Sequence, residues 1–206
     1  MILAIDTSVG ISIAVHNGTQ TIAEISTPEY GLQGENTAQY IVQALAQAGC
    51  ESKSITQVVV GVGPGPFTGL RVGIVSGLTF AHALSIPVAG ICSLDAIGST
   101  QTQDCLVVTD ARRKELYWAR YKDGVRIAGP AVAKPSEIKQ QFPELPVFGP
   151  GTLLYPEALS GKPAELNAGN LAELFVQGTA ELHSVQPMYL RKPDAVEPTG
   201  SKQVLR

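Results

Sequence analysis

Three strand-like segments precede the first helix-like one, and that order limits the folds open to this chain. Ile2-Leu3-Ala4-Ile5 is a continuous apolar run closed by Asp6-Thr7-Ser8, the pattern of a strand covered on both faces. Ile11-Ser12-Ile13-Ala14-Val15 follows and stops at His16-Asn17-Gly18. Asn-Gly between apolar stretches signals a hairpin, with Thr21 to Ser26 as the return strand. The chain thus opens as an antiparallel meander over residues 2–26. Next, Asn36 is placed to cap a helix running to Ala48, with Ile41, Val42, Leu45 and Ala48 at helical spacing. Val58-Val59-Val60-Gly61-Val62 reads as a buried strand, and Gly63-Pro64-Gly65-Pro66 breaks it. A long helix is expected from Phe67 to Leu84, a short strand over Ile86–Ile91, and a short helix capped by Ser93 and ending at Ile97.

A doubly wound sheet would alternate strand and helix from the start. A meander followed by crossover units is instead the pattern of an α/β actin-like (ASKHA, ribonuclease H-like) fold. The remaining chain reads as a second, reduced copy. Leu106-Val107-Val108-Thr109-Asp110 echoes the first strand and its terminal acid. Glu115 to Tyr121 and Val125 to Ala128 flank a Lys122-Asp123-Gly124 turn, Pro135 opens a helix, Pro146–Gly149 is a strand, and Leu171 to Gly178 is a helix. Two lobes follow, residues 1–100 and 101–206, with a boundary at the polar stretch Ser99 to Asp104. The tail from Glu181 contains Pro187, Pro193 and Pro198 and is expected to be irregular.

Hydrophobic residues make up 44% of the 206 positions, enough for a substantial core. The net charge is −3 and no long basic run occurs, which opposes autonomous RNA binding but not membership of an RNA-binding complex. Cys50, Cys92 and Cys105 are odd in number and lack C-x-x-C spacing, so reduced thiols are expected. No leader-like start or bilayer-length apolar run is read from the sequence, so a cytoplasmic location is expected.

Asp6 and Asp110 are the acids that could serve a metal–nucleotide, the first at a strand exit where Thr7, Ser8 and backbone donors also gather. An Asp ending a strand is equally a structural feature. The stretch Gly63–Gly73 precedes a helix N-terminus but lacks the Gly-Lys-Ser/Thr of a phosphate-binding loop. Within the helix, Gly69, Gly73 and Gly77 recur every four residues, with Ala81 extending the row. Each interior Gly costs about 0.8–1 kcal/mol relative to Ala. A side-chain-poor row allows close backbone approach, and apolar residues occur on more than one side of the helix. The expectation is one face on the home sheet and another against a partner subunit, involving Phe67, Leu70, Arg71, Val72, Gly73, Val75, Ser76, Gly77 and Thr79. His16, His82 and His183 match no metal spacing, and no G-x-S-x-G or Cys–His arrangement is present. Asp110-Ala111-Arg112-Arg113-Lys114 reads as a solvated turn, with an anion site as the other reading.

Four stretches together resemble the TsaB (YeaZ) family: Leu3–Ser8, Gly63–Gly73, Asp110–Arg113 with Tyr117-Trp118, and Pro187–Arg191. The resemblance implies an actin-like, non-catalytic subunit without metal or cofactor. It also implies association with TsaD through helices of the first lobe, possible self-association, and support, with the ATPase TsaE, of threonylcarbamoyl transfer to the adenosine beside the anticodon. RNA would be met only through that complex, and no membrane is implied. Gly73→Leu is expected to abolish the complex and leave the fold intact. Where relatives have His-Ser-Glu at the first helix, this chain has Gln33-Gly34-Glu35. Competing readings are a small ATP-dependent enzyme, needing Asp6 and Asp110 in one cleft, and a peptidase, for which no nucleophile or metal set is recognisable.

Overall fold

The computed structural model describes residues 1–28 and 33–191. Strands β1 (Ile2–Asp6), β2 (Ile11–His16) and β3 (Thr21–Thr27) form the meander, and β4 (Gln57–Gly61) and β5 (Val88–Ile91) extend the sheet in parallel from β1. Helices α1 (Gln33–Gln47) and α2 (Phe67–Leu84) are the crossovers, and α3 (Asp95–Gly98) closes the unit. The second sheet repeats the scheme. Strands β6 (Cys105–Asp110), β7 (Leu116–Lys122) and β8 (Val125–Ala133) make a meander, and β9 (Val147–Phe148) and β10 (Gly161–Lys162) add in parallel beside β6. Helix α4 (Pro135–Gln141) lies between β8 and β9. Strand orders are β11-β5-β4-β1-β2-β3 and β10-β9-β6-β7-β8, where β11 is Leu182–His183. The same ribonuclease H-like order thus occurs twice, which is the actin-like fold.

Strand period two sorts the core into layers. Leu3, Ile5, Ile13, Val58 and Val60 face one way, with Ile41, Leu45 and Ile74 of α1 and α2. Ile2, Ala4, Ala14 and Val59 face the other way, with Leu171 and Ala172 of α5 (Ala168–Gln177) and with Val107, Ala119 and Tyr121 of the second sheet. Leu106, Val108, Leu116 and Trp118 turn outward and pack with Ile138 of α4. The middle layer is therefore a core shared by both lobes, and side chains fill it.

Elements from beyond position 101 also build on the first sheet: α5 packs on β1, β2 and β4, and β11 pairs with β5. The reason is the apolar run Ile2–Ile5 of the first strand, whose second face is covered by this late helix together with the second sheet. The tail is correspondingly less irregular than expected, although Pro193 and Pro198 lie outside the described residues. His16 secures the same junction: its Nδ1 accepts from Gly18 N–H, so its Nε2 carries the proton and donates to Glu173 of α5 at 2.9 Å.

Three other expectations change. Helix α1 begins at Gln33, so Asn36 lies inside it and caps nothing. Gln33 and Thr37, four apart and both buried, carry the period upstream through polar residues that an apolar pattern does not register. Ser93 does not cap α3; its hydroxyl accepts from Gly63 N–H at 3.0 Å. Helix α2, at 18 residues and a mean hydropathy of 1.2, does reach the length and apolarity of a minimal bilayer crossing, but its inner face is packed on the sheet.

Candidate functional site

The turn leaving β1 is sealed. Asp6, Thr7 and Ser8 are all buried. Asp6 Oδ1 accepts from Ser8 N–H at 2.7 Å and from the Ser8 hydroxyl at 2.6 Å. Oδ2 is buried without a hydrogen-bond partner, against Gly61, where a Cβ would lie 1.7 Å from it. Burial pushes the Asp6 carboxyl above its ordinary value of 3.8, against the pull of the Ser8 and Ser93 hydroxyls. A carboxyl whose pKa rises on folding holds its proton more tightly in the folded chain than in the unfolded one. Its stabilising contribution is full below 3.8 and is lost as pH climbs through the folded value. Asp6→Asn keeps the Oδ1 acceptor and removes the titration. Denaturant melts between pH 4 and 8 should show the wild type losing stability relative to this variant as pH rises; parallel curves would refute the account.

Asp110 belongs to a different turn, where it accepts from Arg112 N–H at 2.7 Å and pairs with the Arg112 guanidinium at 3.3 Å. A cavity of about 270 Å³ near the lobe junction is lined by Val9, Ile11, Pro28, Pro150, Leu153 and Leu166 among others, and by none of Asp6, Thr7, Ser8 or Asp110. Gly149 and Gly151 press on the Val108 backbone. The acids needed for nucleotide chemistry are thus occupied in separate local networks.

Helix α2 has two unlike faces. The Thr7 hydroxyl donates to Gly69 O at 2.6 Å and accepts from Gly73 N–H at 3.0 Å, entering the helix ladder where a side chain on the glycine row would collide. A Cβ on Gly69 would lie 2.7 Å from Thr7 O, on Gly73 2.3 Å from Thr7 Oγ1, and on Gly77 2.4 Å from Val60 Cγ1. The glycine row and Leu70 are therefore turned to the home sheet. Gly73, Gly77 and Leu70 are corrected from partner-facing to internal positions, because the close approach that the glycines permit is to β1 and β4. The opposite face is open. Phe67, Val75 and Leu78 are 50%, 58% and 41% exposed, and Val42 on the adjoining helix α1 is 65% exposed. Arg71 and Thr79 are exposed, and Val72 and Ser76 are half-buried beside them.

The N-terminal end of α2 meets two of the other distinctive stretches. Phe67 stacks on Tyr189 with ring centroids 4.9 Å apart, and the Arg71 guanidinium lies 3.7 Å above the Phe67 ring while its Nε donates to the Tyr189 hydroxyl at 2.8 Å. Two residues on, Arg191 pairs with Glu115 and donates to Ala111 O at 3.1 Å. Residues 187–191 thus clip α2 to the β6–β7 turn. In that turn Arg112, Arg113 and Lys114 have φ of 61°, 53° and 63°. Three consecutive left-handed residues without a glycine cost about 1 kcal/mol or more each.

Sequence reasoning missed a buried polar cluster at the lobe junction. Asp95 Oδ1 accepts from the Tyr121 hydroxyl at 2.6 Å and from Arg126 Nε at 2.8 Å, and Arg126 Nη2 also donates to Glu181 at 2.8 Å. These residues come from three separate stretches, Asp95, the β7–β8 hairpin with Tyr121 and Arg126, and Glu181, so no single spacing reveals them. Trp118 is packed as expected, edge-on to Phe142.

Comparison with known proteins gives a family model match to TsaD, tRNA N6-adenosine threonylcarbamoyltransferase, over residues 34–151, more than half of the chain. The chain is similar to an uncharacterized protein of Mycobacterium leprae (strain TN), 42% identical across 98% of this chain and 58% of that one, so it spans little more than half of that relative. It is 31% identical to the tRNA threonylcarbamoyladenosine biosynthesis protein TsaB of Bacillus subtilis (strain 168), over 60% of this chain and 57% of the relative. It is 26% identical to the same-named protein of Escherichia coli (strain K12), over 92% and 94%. The structure of YeaZ from Pseudomonas aeruginosa shares the fold with a TM-score of 0.73, at 24% identity over 92% of this chain and 99% of that one.

Proposed function

Because the chain belongs to the TsaB (YeaZ) family, we propose that it serves tRNA threonylcarbamoyladenosine formation as a non-catalytic cytoplasmic subunit. In this reading it docks a TsaD-type transferase, with TsaE as a further member of the assembly, and reaches RNA only within that complex. The observation that carries the reading is the pairing of a sealed Asp6-Thr7-Ser8 turn with an open α2 face. The residues that would do chemistry are committed to the fold, while Phe67, Arg71, Val72, Val75, Ser76 and Thr79 are left facing outward. An aromatic and an arginine beside exposed aliphatics is the composition of a docking centre. A second copy of the chain could use the same face, which would make homodimer and heterodimer mutually exclusive.

The test is association with the TsaD-type protein of the same organism, followed by size-exclusion and calorimetry. Val75→Asp places a charge at the centre of the open face and touches nothing in the core. It should weaken the complex by about 30-fold or more at an unchanged melting temperature. Full-strength association of this variant would refute the assigned surface. Turnover by the isolated chain would refute the non-catalytic role.

A further inference from the structure

Arg71 is the one Asp, Glu, Lys or Arg residue of helix α2, and it is exposed on the face that also carries Phe67, Val75 and Leu78. Its guanidinium is held in place. It lies 3.7 Å above the Phe67 ring, and its Nε donates to the Tyr189 hydroxyl at 2.8 Å. Tyr189 is itself fixed. Its ring stacks on Phe67, and its neighbours in the chain are anchored. Met188 N–H donates to Val62 O at 2.7 Å and the Met188 side chain packs against the clusters on both faces of the first sheet, while Arg191 pairs with Glu115. None of these contacts uses the terminal N–H groups of Arg71. Among the described residues no carboxylate pairs with it, whereas Arg120, Arg126 and Arg191 each have one. An arginine bound along its Nε edge and bare at its terminal edge is a fork set for an acceptor with two oxygens. The surrounding side chains decide which acceptor. A phosphodiester-binding surface gathers several cations, and α2 has this one among exposed aliphatics. That setting suits a carboxylate carried by a protein.

We propose that Tyr189 positions Arg71 to receive an aspartate or glutamate carboxylate of the TsaD-type partner at the N-terminal end of the docking face. This rests on the function proposed above. It adds a residue from near the other end of the chain to a surface otherwise made by α1 and α2. By accepting the Nε proton, the Tyr189 hydroxyl removes rotamer freedom that an exposed arginine would otherwise lose on binding. Val75 and Leu78 supply the apolar centre, and the ion pair at its edge sets the register of the two proteins.

The experiment is calorimetry of the full chain with the TsaD-type protein of the same organism, from about 50 to 300 mM salt. The variants are Arg71→Gln, Arg71→Lys, Tyr189→Phe and the double variant Arg71→Gln/Tyr189→Phe. Tyr189→Phe keeps the ring stack and deletes the hydroxyl, and all four should melt within about 2 °C of the wild type. Arg71→Gln should weaken association roughly tenfold at low salt and flatten its salt dependence. Arg71→Lys keeps the charge and the salt dependence but loses the fork, so association should weaken about threefold. Tyr189→Phe should weaken it about three- to fivefold when Arg71 is present and leave it unchanged in the Arg71→Gln background. A tyrosine that merely supported the fold would act equally in both backgrounds, and that result would overturn the positioning role. Full-strength, normally salt-dependent association of Arg71→Gln would overturn the carboxylate contact. Arg71→Gln might instead spare the heterocomplex and impair self-association of the isolated chain, or impair binding of an unmodified tRNA transcript to the complex. The first result would give the guanidinium to a second copy and the second to a phosphate, and either would overturn the proposal. A wild-type chain that fails to join the partner removes the docking function and this contact together. A wild-type chain that joins it, with variants that match, removes this contact alone.

Discussion

Gly73→Leu should unfold this protein, not merely detach a partner. The glycine row lies against the chain's own first strand, and a Cβ at position 73 would meet Thr7 Oγ1 at 2.3 Å and Cγ2 at 3.2 Å. Thr7 cannot withdraw without breaking its bonds to Gly69 O and Gly73 N–H, and the turn beyond it is held by the Asp6–Ser8 contacts. Overpacking of a tight contact costs about 1–3 kcal/mol for small additions. Loss of a buried hydrogen-bond bridge adds roughly 1 kcal/mol or more, and leucine brings three further carbons into a closed space. A total near 4 kcal/mol is a large share of the stability of a chain this size. Even Gly73→Ala, which gains about 1 kcal/mol of helix propensity, should be destabilising in the wild type.

The decisive measurement is a double-mutant cycle by equilibrium denaturation. In a Thr7→Ala background the obstructing hydroxyl and methyl are gone, so Gly73→Ala should there be neutral or stabilising. The coupling between the two positions should reach about 1–3 kcal/mol. Additive effects would mean that α2 does not bear on β1 through this contact. Gly73→Leu at wild-type stability would restore the glycine row to the outer surface.

The same contact explains what could be read from the sequence and what could not. Strand β1 and the meander were legible because their apolar runs and the Asn17-Gly18 turn are local signals. The extent of α2 was legible because Pro66 and the helical spacing delimit it. The direction of the glycine row was not. A side-chain-poor row is compatible with either neighbour, and only the position of Thr7, more than sixty residues upstream, decides between them. Helix α1 was cut short for a related reason: Gln33 and Thr37 are buried polar residues, and an apolar period does not count them. The return of α5 and β11 to the first sheet was hidden because it is a demand made by β1 and met near the other end of the chain. Asp6 was correctly singled out as unusual, but its use is local; an acid at a strand end has the same sequence signature whether it faces a metal or its own serine.

The second large effect is expected at Arg126, which ties the lobes through polar contacts. The guanidinium and Asp95 are each about one-tenth exposed at the side chain. Burial alone would lower the arginine pKa, yet the Asp95 carboxylate holds it above its usual value. Arg126 stands on β8 of the second sheet, Asp95 opens α3 of the first unit, Tyr121 on β7 shares the same carboxylate oxygen, Glu181 precedes β11 and His183 lies in it. Removing Arg126 would leave Asp95 buried with only the Tyr121 hydroxyl. Breaking such a pair from one side costs about 3–5 kcal/mol, mostly the desolvation of the abandoned charge. Arg126→Ala should therefore lower the melting temperature by roughly 10 °C, and Arg126→Met, which restores the packed volume, should recover little of it. Glu181→Ala offers the contrast within one network: Glu181 is 67% exposed at the side chain, so its bond to the same guanidinium should contribute at most about 1 kcal/mol. Equal and small losses for Arg126→Ala and Glu181→Ala would show that the pair is screened by solvent and that the apolar middle layer alone joins the lobes.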